Sequence, residues 1–299
     1  LKPAVLVLMQ TGKMEKLLSG YKVKEVVDTV GAGDGFAVGI LSAWLEGLQM
    51  PEMVDRGNAI GSIQVSVASD NEGLPTKEEL DAYMKGENKM RLQAAIDRVT
   101  VDRAAEIIDQ THGCADIIEV GTSLIKDYGL AGSVKVLKEK YPEQCILADI
   151  KTCDEGEYEF RKTYEAGGDI PTIMGFSSVS TLKACQKVAE EFEKEYMIDL
   201  LEVSDDKLEI LKKEFPEAIF CVHLPSDDQG VGLEELVKHM CMKLTGVEKI
   251  AVAGGVKLEN IDLMKRYGID TVIVGGAISK AADIREAAEA FAQEIRRQK

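Results

Sequence analysis

The chain has 299 residues, 45% of them hydrophobic and 29% charged, a balance suited to a soluble globular protein of one large domain or two ordinary ones. Its formal net charge of -16 repels phosphate backbones and sets nucleic acid aside as a partner. No apolar run approaches the roughly 20 residues that span a bilayer and no leader pattern is present, so no membrane role is expected and the expected location is the cytoplasm.

In chain order, the segment from Leu1 runs straight into a strand-like AVLVLM, as a fragment of a longer chain or a trimmed one would. A helix pattern runs from Thr76, an N-cap residue type followed by Glu78 and Glu79, to Met84. Gly86, Glu87, Asn88 and Lys89 then form a polar linker, and a fresh apolar strand opens at Met90. A seam is therefore expected near residue 88, separating units 1–88 and 89–299. Beyond it strands and helices alternate. Predicted strands cover 92–97, 116–121, 145–151, 170–176, 196–201, 218–224, 249–255 and 271–277. Predicted helices follow at 101–110, 133–141, 157–166, 180–193, 207–214, 233–244, 258–267 and 284–297. Eight βα units predict an α/β fold, a (β/α)8 TIM barrel. A doubly wound sheet is the competitor, but it would carry a Gly-rich turn after its first strand, and AIDRVTVD has none. The six cysteines (Cys114, Cys145, Cys153, Cys185, Cys221 and Cys241) include no C-x-x-C pair and read as reduced thiols.

In such a barrel the chemistry sits at the C-terminal ends of the strands, and the charged residues collect there. Asp97 ends the first barrel strand, Glu119 lies on the second, Asp149 and Lys151 end the third, Asp199 lies on the fifth, and His223 ends the sixth. Asp149 and Lys151 are two residues apart, so regular alternation turns both inward and Ile150 outward, with Asp154 in the loop beyond. A structural ion pair closing the barrel is the plainer alternative. Clustered carboxylates without clustered histidines suit a hard cation, Mg²⁺ before Zn²⁺. Gly254-Gly255 and Gly275-Gly276 end the last two strands, where barrels bind phosphate; turn-making is their ordinary job. Of the three histidines, His112 and His239 read as surface residues. His223 ends an apolar strand, suited either to proton transfer or to a structural hydrogen bond.

The motifs LQAAIDR, ADIIEVGTSLIKDYGL, ADIKTCDEGEYE, IAVAGGVKLENI and VIVGGAISKAAD resemble the 3-hexulose-6-phosphate synthase family, over about residues 90–297. That family lies in the orotidine-5′-phosphate decarboxylase suprafamily, beside the 3-keto-L-gulonate-6-phosphate decarboxylases. The D-x-K-x-x-D core is Asp149, Lys151 and Asp154. The resemblance implies a homodimer with shared sites, Mg²⁺ on Glu119 and Asp149, and Lys151 beside the intermediate. It further implies Asp97 on substrate hydroxyls and Asp154 reaching into the partner's site. The implied reaction is a Mg²⁺-dependent aldol addition of formaldehyde to D-ribulose 5-phosphate, or its reverse, through an enediolate, with His223 moving a proton. A decarboxylase of a 3-keto sugar-acid phosphate is the alternative on the same site; a non-catalytic sugar-phosphate-binding protein is the alternative of another class. After Asp154 the chain reads EGEY rather than the Ile-Pro-Asn-Thr of orotidylate decarboxylases. The last turn has Gly276 and Ala277 where the keto-gulonate enzymes tend to have Arg. The loop HLPSDDQG keeps His223, Asp227 and Gln229 but inserts Leu224, Pro225 and Ser226, and proline alters its reach.

VVDTVGAGDGFAVGIL and DNEGLPTKEEL resemble the C-terminal part of ribokinase-like (PfkB) sugar kinases, of the 2-keto-3-deoxygluconate kinase type. The resemblance implies that Gly31, Ala32 and Gly33 precede a helix and form an anion hole, with Asp34 as base. In such kinases a sugar-binding half precedes this signature, so residues 1–88 are expected to correspond to the C-terminal part alone, and LVLMQTGKMEKLLSGYKV reads as eroded where a regular hairpin is expected. A degenerate kinase appendage is the expectation.

Overall fold

This computed structural model describes residues 7–11, 14–18, 21, 31–65, 74–84, 90–225 and 232–297. Contacts divide the chain into two units, residues 1–88 and 89–299. In the first, β1 (Val7–Thr11) and β2 (Met14–Leu18) pair antiparallel with Thr11 opposite Met14. The expected erosion of this hairpin is thus corrected: the two strands pair in regular register from Val7–Leu18 to Thr11–Met14. Three helices follow, α1 (Ala32–Leu45), α2 (Met50–Gln64) and α3 (Lys77–Met84). α1 and α2 approach at Gly39, where a Cβ would lie 2.6 Å from the Gly57 Cα, so close packing requires glycine there.

The second unit is a (β/α)8 barrel. Its strands are β3 (Arg91–Ile96), β4 (Ile117–Val120), β5 (Cys145–Thr152), β6 (Ile170–Met174), β7 (Met197–Asp199), β8 (Ile219–His223), β9 (Ile250–Ala253) and β10 (Thr271–Val274). They close in the order β10-β3-β4-β5-β6-β7-β8-β9, every neighbouring pair parallel. The helices are α4 (Val101–Thr111), α5 (Thr122–Gly132), α6 (Val134–Lys140), α7 (Gly156–Glu165), α8 (Val179–Phe192), α9 (Asp205–Glu214), α10 (Leu233–Lys243), α11 (Ile261–Arg266), α12 (Gly276–Ser279) and α13 (Ile284–Arg296).

Two expectations need correction. The second crossover, read as one helix over 133–141, holds two. α5 was hidden because TSLIKDYGLAG carries a break at Gly129 (φ 66°, ψ 171°), bridged by the Ser133 hydroxyl donating to the Gly129 carbonyl at 2.6 Å. The last strand, read to residue 277, stops at Val274, and Gly276 opens the short α12.

Alternation along the strands makes two shells. Leu92, Ala94, Ile118, Val120, Ile146 and Ala148 pack outward beneath the helices. Ile117, Leu147, Ile170, Met197 and Cys221 fill the interior. Two residues further along those five strands stand Glu119, Asp149, Thr172, Asp199 and His223. The polar layer therefore sits directly on the apolar one, at the C-terminal end. The opposite end is tied by Arg91 to Glu195 (3.1 Å) and Asp270 (2.9 Å), and by Asp169 to Lys138 and Lys194 (2.9 Å each).

Candidate active site

Asp149 is 9% exposed and both its oxygens accept hydrogen bonds. Oδ1 accepts from Lys151 Nζ (2.9 Å) and Thr172 Oγ1 (3.0 Å); Oδ2 accepts from Lys151 Nζ (2.8 Å) and Thr122 Oγ1 (2.7 Å). Lys151 also lies 3.6 Å from Asp199 Oδ2. Asp149 and Lys151 do meet, but not by regular alternation. The β5–β6 register slips between Ala148 and Thr152, and Lys151 takes a left-handed φ of 49°. A bulge, rather than the pleat, turns the ammonium back onto Asp149. Ile150 packs against the outer shell. Burial favours the neutral amine of Lys151, but Asp149, Asp199 and Glu119 outweigh it and hold the ammonium above the ordinary lysine range.

His223 and Asp199 form a second pair, Nδ1 to Oδ2 at 2.7 Å. Asp199 Oδ1 accepts from the Leu201 amide at 2.9 Å. Burial raises the Asp199 pKa, but the His223 and Lys151 charges with that amide carry it below the carboxylate range. Burial lowers the His223 pKa, and the Asp199 hydrogen bond and charge outweigh it to raise the net value. Glu119 Oε2 accepts from Gln93 Nε2 at 2.6 Å. Burial first, and then the Asp149 charge, push the Glu119 acid up to about 7. Asp199 carries this cluster without having been assigned a role from sequence, and Gln93, Thr122 and Thr172 were missed. The signal for Gln93 and Thr172 was a lone polar residue at an inward position of an otherwise apolar strand, as in LQAAI and PTIM; Thr122 opens α5 and carried no such mark.

Asp97 and Asp154 stand apart from the cluster. Asp97 is exposed and its Oδ1 accepts from the Ser123 amide (3.0 Å) and hydroxyl. Asp154 is exposed in the turn into α7, with no hydrogen bond or ion pair to the cluster among the described residues. Gly254 and Gly255 take left-handed φ values of 95° and 67° beyond β9, and a Cβ on Gly254 would run into the Leu224 carbonyl. Gly275 caps α12. Asp227 and Gln229 lie outside the described residues. In the N-terminal unit the helix starts earlier than read: Gly31 is the N-cap, at φ 85°, and Ala32, Gly33 and the exposed Asp34 form the first turn. His112 and His239 are exposed.

The donor set fits a hard divalent cation. Glu119 and Asp149 are close enough that one carboxylate opposes ionisation of the other, and all their donor atoms are oxygen. Among the described residues no group of three or more His, Cys, Asp or Glu is disposed around one metal position. Such an ion would take two protein ligands and complete its shell from substrate and water, the usual Mg²⁺ pattern. A cleft of about 950 Å³ lined by Cys114, Leu258, Asp262, Gln293 and Arg297 contains none of these residues.

Comparison with known proteins follows the two units. Residues 5–77 match the pfkB family carbohydrate kinases. Residues 90–291 match the orotidine 5'-phosphate decarboxylase / HUMPS family. The 3-hexulose-6-phosphate synthase of Bacillus subtilis (strain 168) is 35% identical over 210 residues, covering 69% of this chain and 99% of the relative. The solved 3-hexulose-6-phosphate synthase from Salmonella typhimurium is 33% identical with a TM-score of 0.64, covering 69% of this chain and 98% of its own. The solved 3-keto-L-gulonate-6-phosphate decarboxylase from Vibrio cholerae O1 biovar El Tor is 25% identical with a TM-score of 0.62, covering 69% and 97%. With more than half of the chain matched, an eight-stranded barrel and a charged cluster at its C-terminal end, the chain belongs to the orotidine 5'-phosphate decarboxylase / HUMPS family, and its barrel is a carbon–carbon lyase.

Proposed function

We propose that the barrel catalyses aldol addition of formaldehyde to D-ribulose 5-phosphate, or the reverse, with Mg²⁺. The observation that carries this reading is the Lys151 ammonium held between Asp149 and Asp199, beside Glu119 and the His223–Asp199 pair. In the forward direction a proton leaves C1 of the ketose and the resulting enediolate attacks the formaldehyde carbon. One C–C bond forms, the formaldehyde C=O becomes a C–O single bond, and its oxygen takes up a proton. Lys151 stabilises the negative oxygen of the enediolate through a charge already in place. His223, with Nδ1 committed to Asp199, has Nε2 for proton transfer. Glu119 and Asp149 would hold Mg²⁺, which when bound supplies Lewis-acid stabilisation of developing charge.

Asp97 Oδ2 is the oxygen offered to substrate hydroxyls, and Gly254, Gly255, Gly275 and Gly276 form the phosphate subsite. Asp154 reaches into the site of a homodimer partner, which suits its exposed place outside this cluster. Two relatives of 33% and 35% identity named as synthases, against 25% for the decarboxylase, favour the synthase over decarboxylation. The N-terminal unit is read as an appendage without kinase activity. The test is a coupled assay with ribulose 5-phosphate and formaldehyde, with and without Mg²⁺. Turnover supports the synthase. CO₂ release from 3-keto-L-gulonate 6-phosphate without condensation replaces it with the decarboxylase. Thermal stabilisation by ribulose 5-phosphate with no turnover in either assay leaves a binding protein.

A further inference from the structure

Lys151 occupies a backbone conformation that its own residue type does not explain. Between the pairs Ala148–Pro171 and Thr152–Ile173, β5 advances four residues and β6 two, so β5 carries two extra residues. Lys151 sits in that slack at φ 49°. A left-handed residue with a Cβ is disfavoured by roughly 1–2 kcal/mol, and lysine lacks the short polar side chain that lets Asn or Asp stay there. Pro171 marks the slip from the other side, since it has no N–H to donate to the ladder. Some group must hold the bulge in this one form.

We propose that Thr172 is a positioning residue whose hydroxyl latches the β5 bulge in the form that seats the Lys151 ammonium on Asp149. Thr172 Oγ1 accepts the Lys151 main-chain N–H at 2.9 Å and donates to Asp149 Oδ1 at 3.0 Å. One hydroxyl has one proton to give and lone pairs to receive, and here both uses are filled. It thereby joins the main chain of one member of the ion pair to the side chain of the other. Thr122 also bonds Asp149, at its carbonyl and Oδ2, whereas the Lys151 main-chain N–H goes to Thr172. Thr172 is 3% exposed, so water does not offer an easy substitute for either bond.

Thr172→Val keeps the branched shape and removes the hydroxyl; Thr172→Ser keeps the hydroxyl and removes a methyl. The first readout is hydrogen–deuterium exchange at the Lys151 amide of the full chain, followed by NMR. The latch predicts at least about tenfold faster exchange in the valine variant, a change of about 1.4 kcal/mol in local opening. The serine variant stays within about threefold of wild type, and the amides of Ile198 and Val222 stay unchanged in both. Wild-type exchange at Lys151 in the valine variant, or equal acceleration in both variants, overturns the proposal. If the valine variant does not fold, Thr172→Ala carries the same comparison with serine. The second readout, a fall in kcat with KM retained in the valine variant and recovery in serine, rests on the lyase reading. A wild-type kcat in the valine variant overturns the positioning role. No turnover in any form, with the exchange pattern intact, removes the proposed reaction and leaves the latch.

Discussion

Replacing Lys151 by methionine tests whether the charge cluster is as tightly balanced as its geometry indicates. The ammonium lies 2.8 and 2.9 Å from the two Asp149 oxygens and 3.6 Å from Asp199. The Asp149 and Asp199 side chains are 12% and 5% exposed, that of Lys151 31%. Removing one partner of a fully buried pair costs roughly 3–5 kcal/mol. Solvent near the ammonium screens part of that, which gives about 2–3 kcal/mol for Lys151→Met. At about 2–4 °C per kcal/mol for a domain of this size, the barrel should melt about 5–10 °C lower. Far-UV circular dichroism is the appropriate probe, because the single tryptophan is Trp44, in the N-terminal unit. Adding Asp149→Asn should then recover about 1–2 kcal/mol relative to the sum of the single changes, since the stranded carboxylate is gone. Stability within about 0.5 kcal/mol of wild type for Lys151→Met, or strict additivity in the double variant, would refute the reasoning.

Asp169→Asn addresses the other end of the barrel. Burial raises the Asp169 pKa, but the Ile146 amide, Lys138 and Lys194 outweigh it and depress it. Its contribution is therefore present above the unfolded carboxylate value and is lost as pH falls through the folded one. The variant should lose about 1–2 kcal/mol at pH 7 and show a flatter acid limb in urea unfolding; an equal loss below both pKa values contradicts this. Asp199→Asn should lower the His223 pKa, read by NMR titration against the exposed His112 and His239; an unmoved His223 signal breaks the assignment of Asp199 as its partner. Gly254→Ala should destabilise the barrel by about 1–3 kcal/mol, and more than Gly255→Ala, whose Cβ would meet nothing within 4 Å. Equal thermal shifts for the two variants count against the close approach at Leu224.

Much of the barrel was legible because every strand but β6 announces itself by an apolar run ending in a charge, a histidine or a glycine pair. α5 was not, because Gly129 and Gly132 interrupt its pattern and the kink is held by the Ser133 hydroxyl. The meeting of Asp149 and Lys151 was read from a two-residue spacing, yet it depends on a bulge that no spacing reveals. The slip is a property of two strands together, and its only local mark is Pro171. Thr172 and Gln93 gave little signal alone, since a single inward threonine or glutamine becomes informative only when its neighbour across the ladder is known. Asp97 is expected on substrate hydroxyls and Asp154 in a partner's site, and within a single chain both lie outside the hydrogen-bonded cluster.

The central claim is that this cluster takes a proton from C1 of a ketose phosphate. It is tested most directly by ¹H NMR of ribulose 5-phosphate in D₂O with the full chain and Mg²⁺, in the absence of formaldehyde. The account predicts that the C1 proton signal decays in the presence of the wild-type protein and persists with Asp149→Ala. A C1 signal that persists with wild type as long as it does without protein would contradict it.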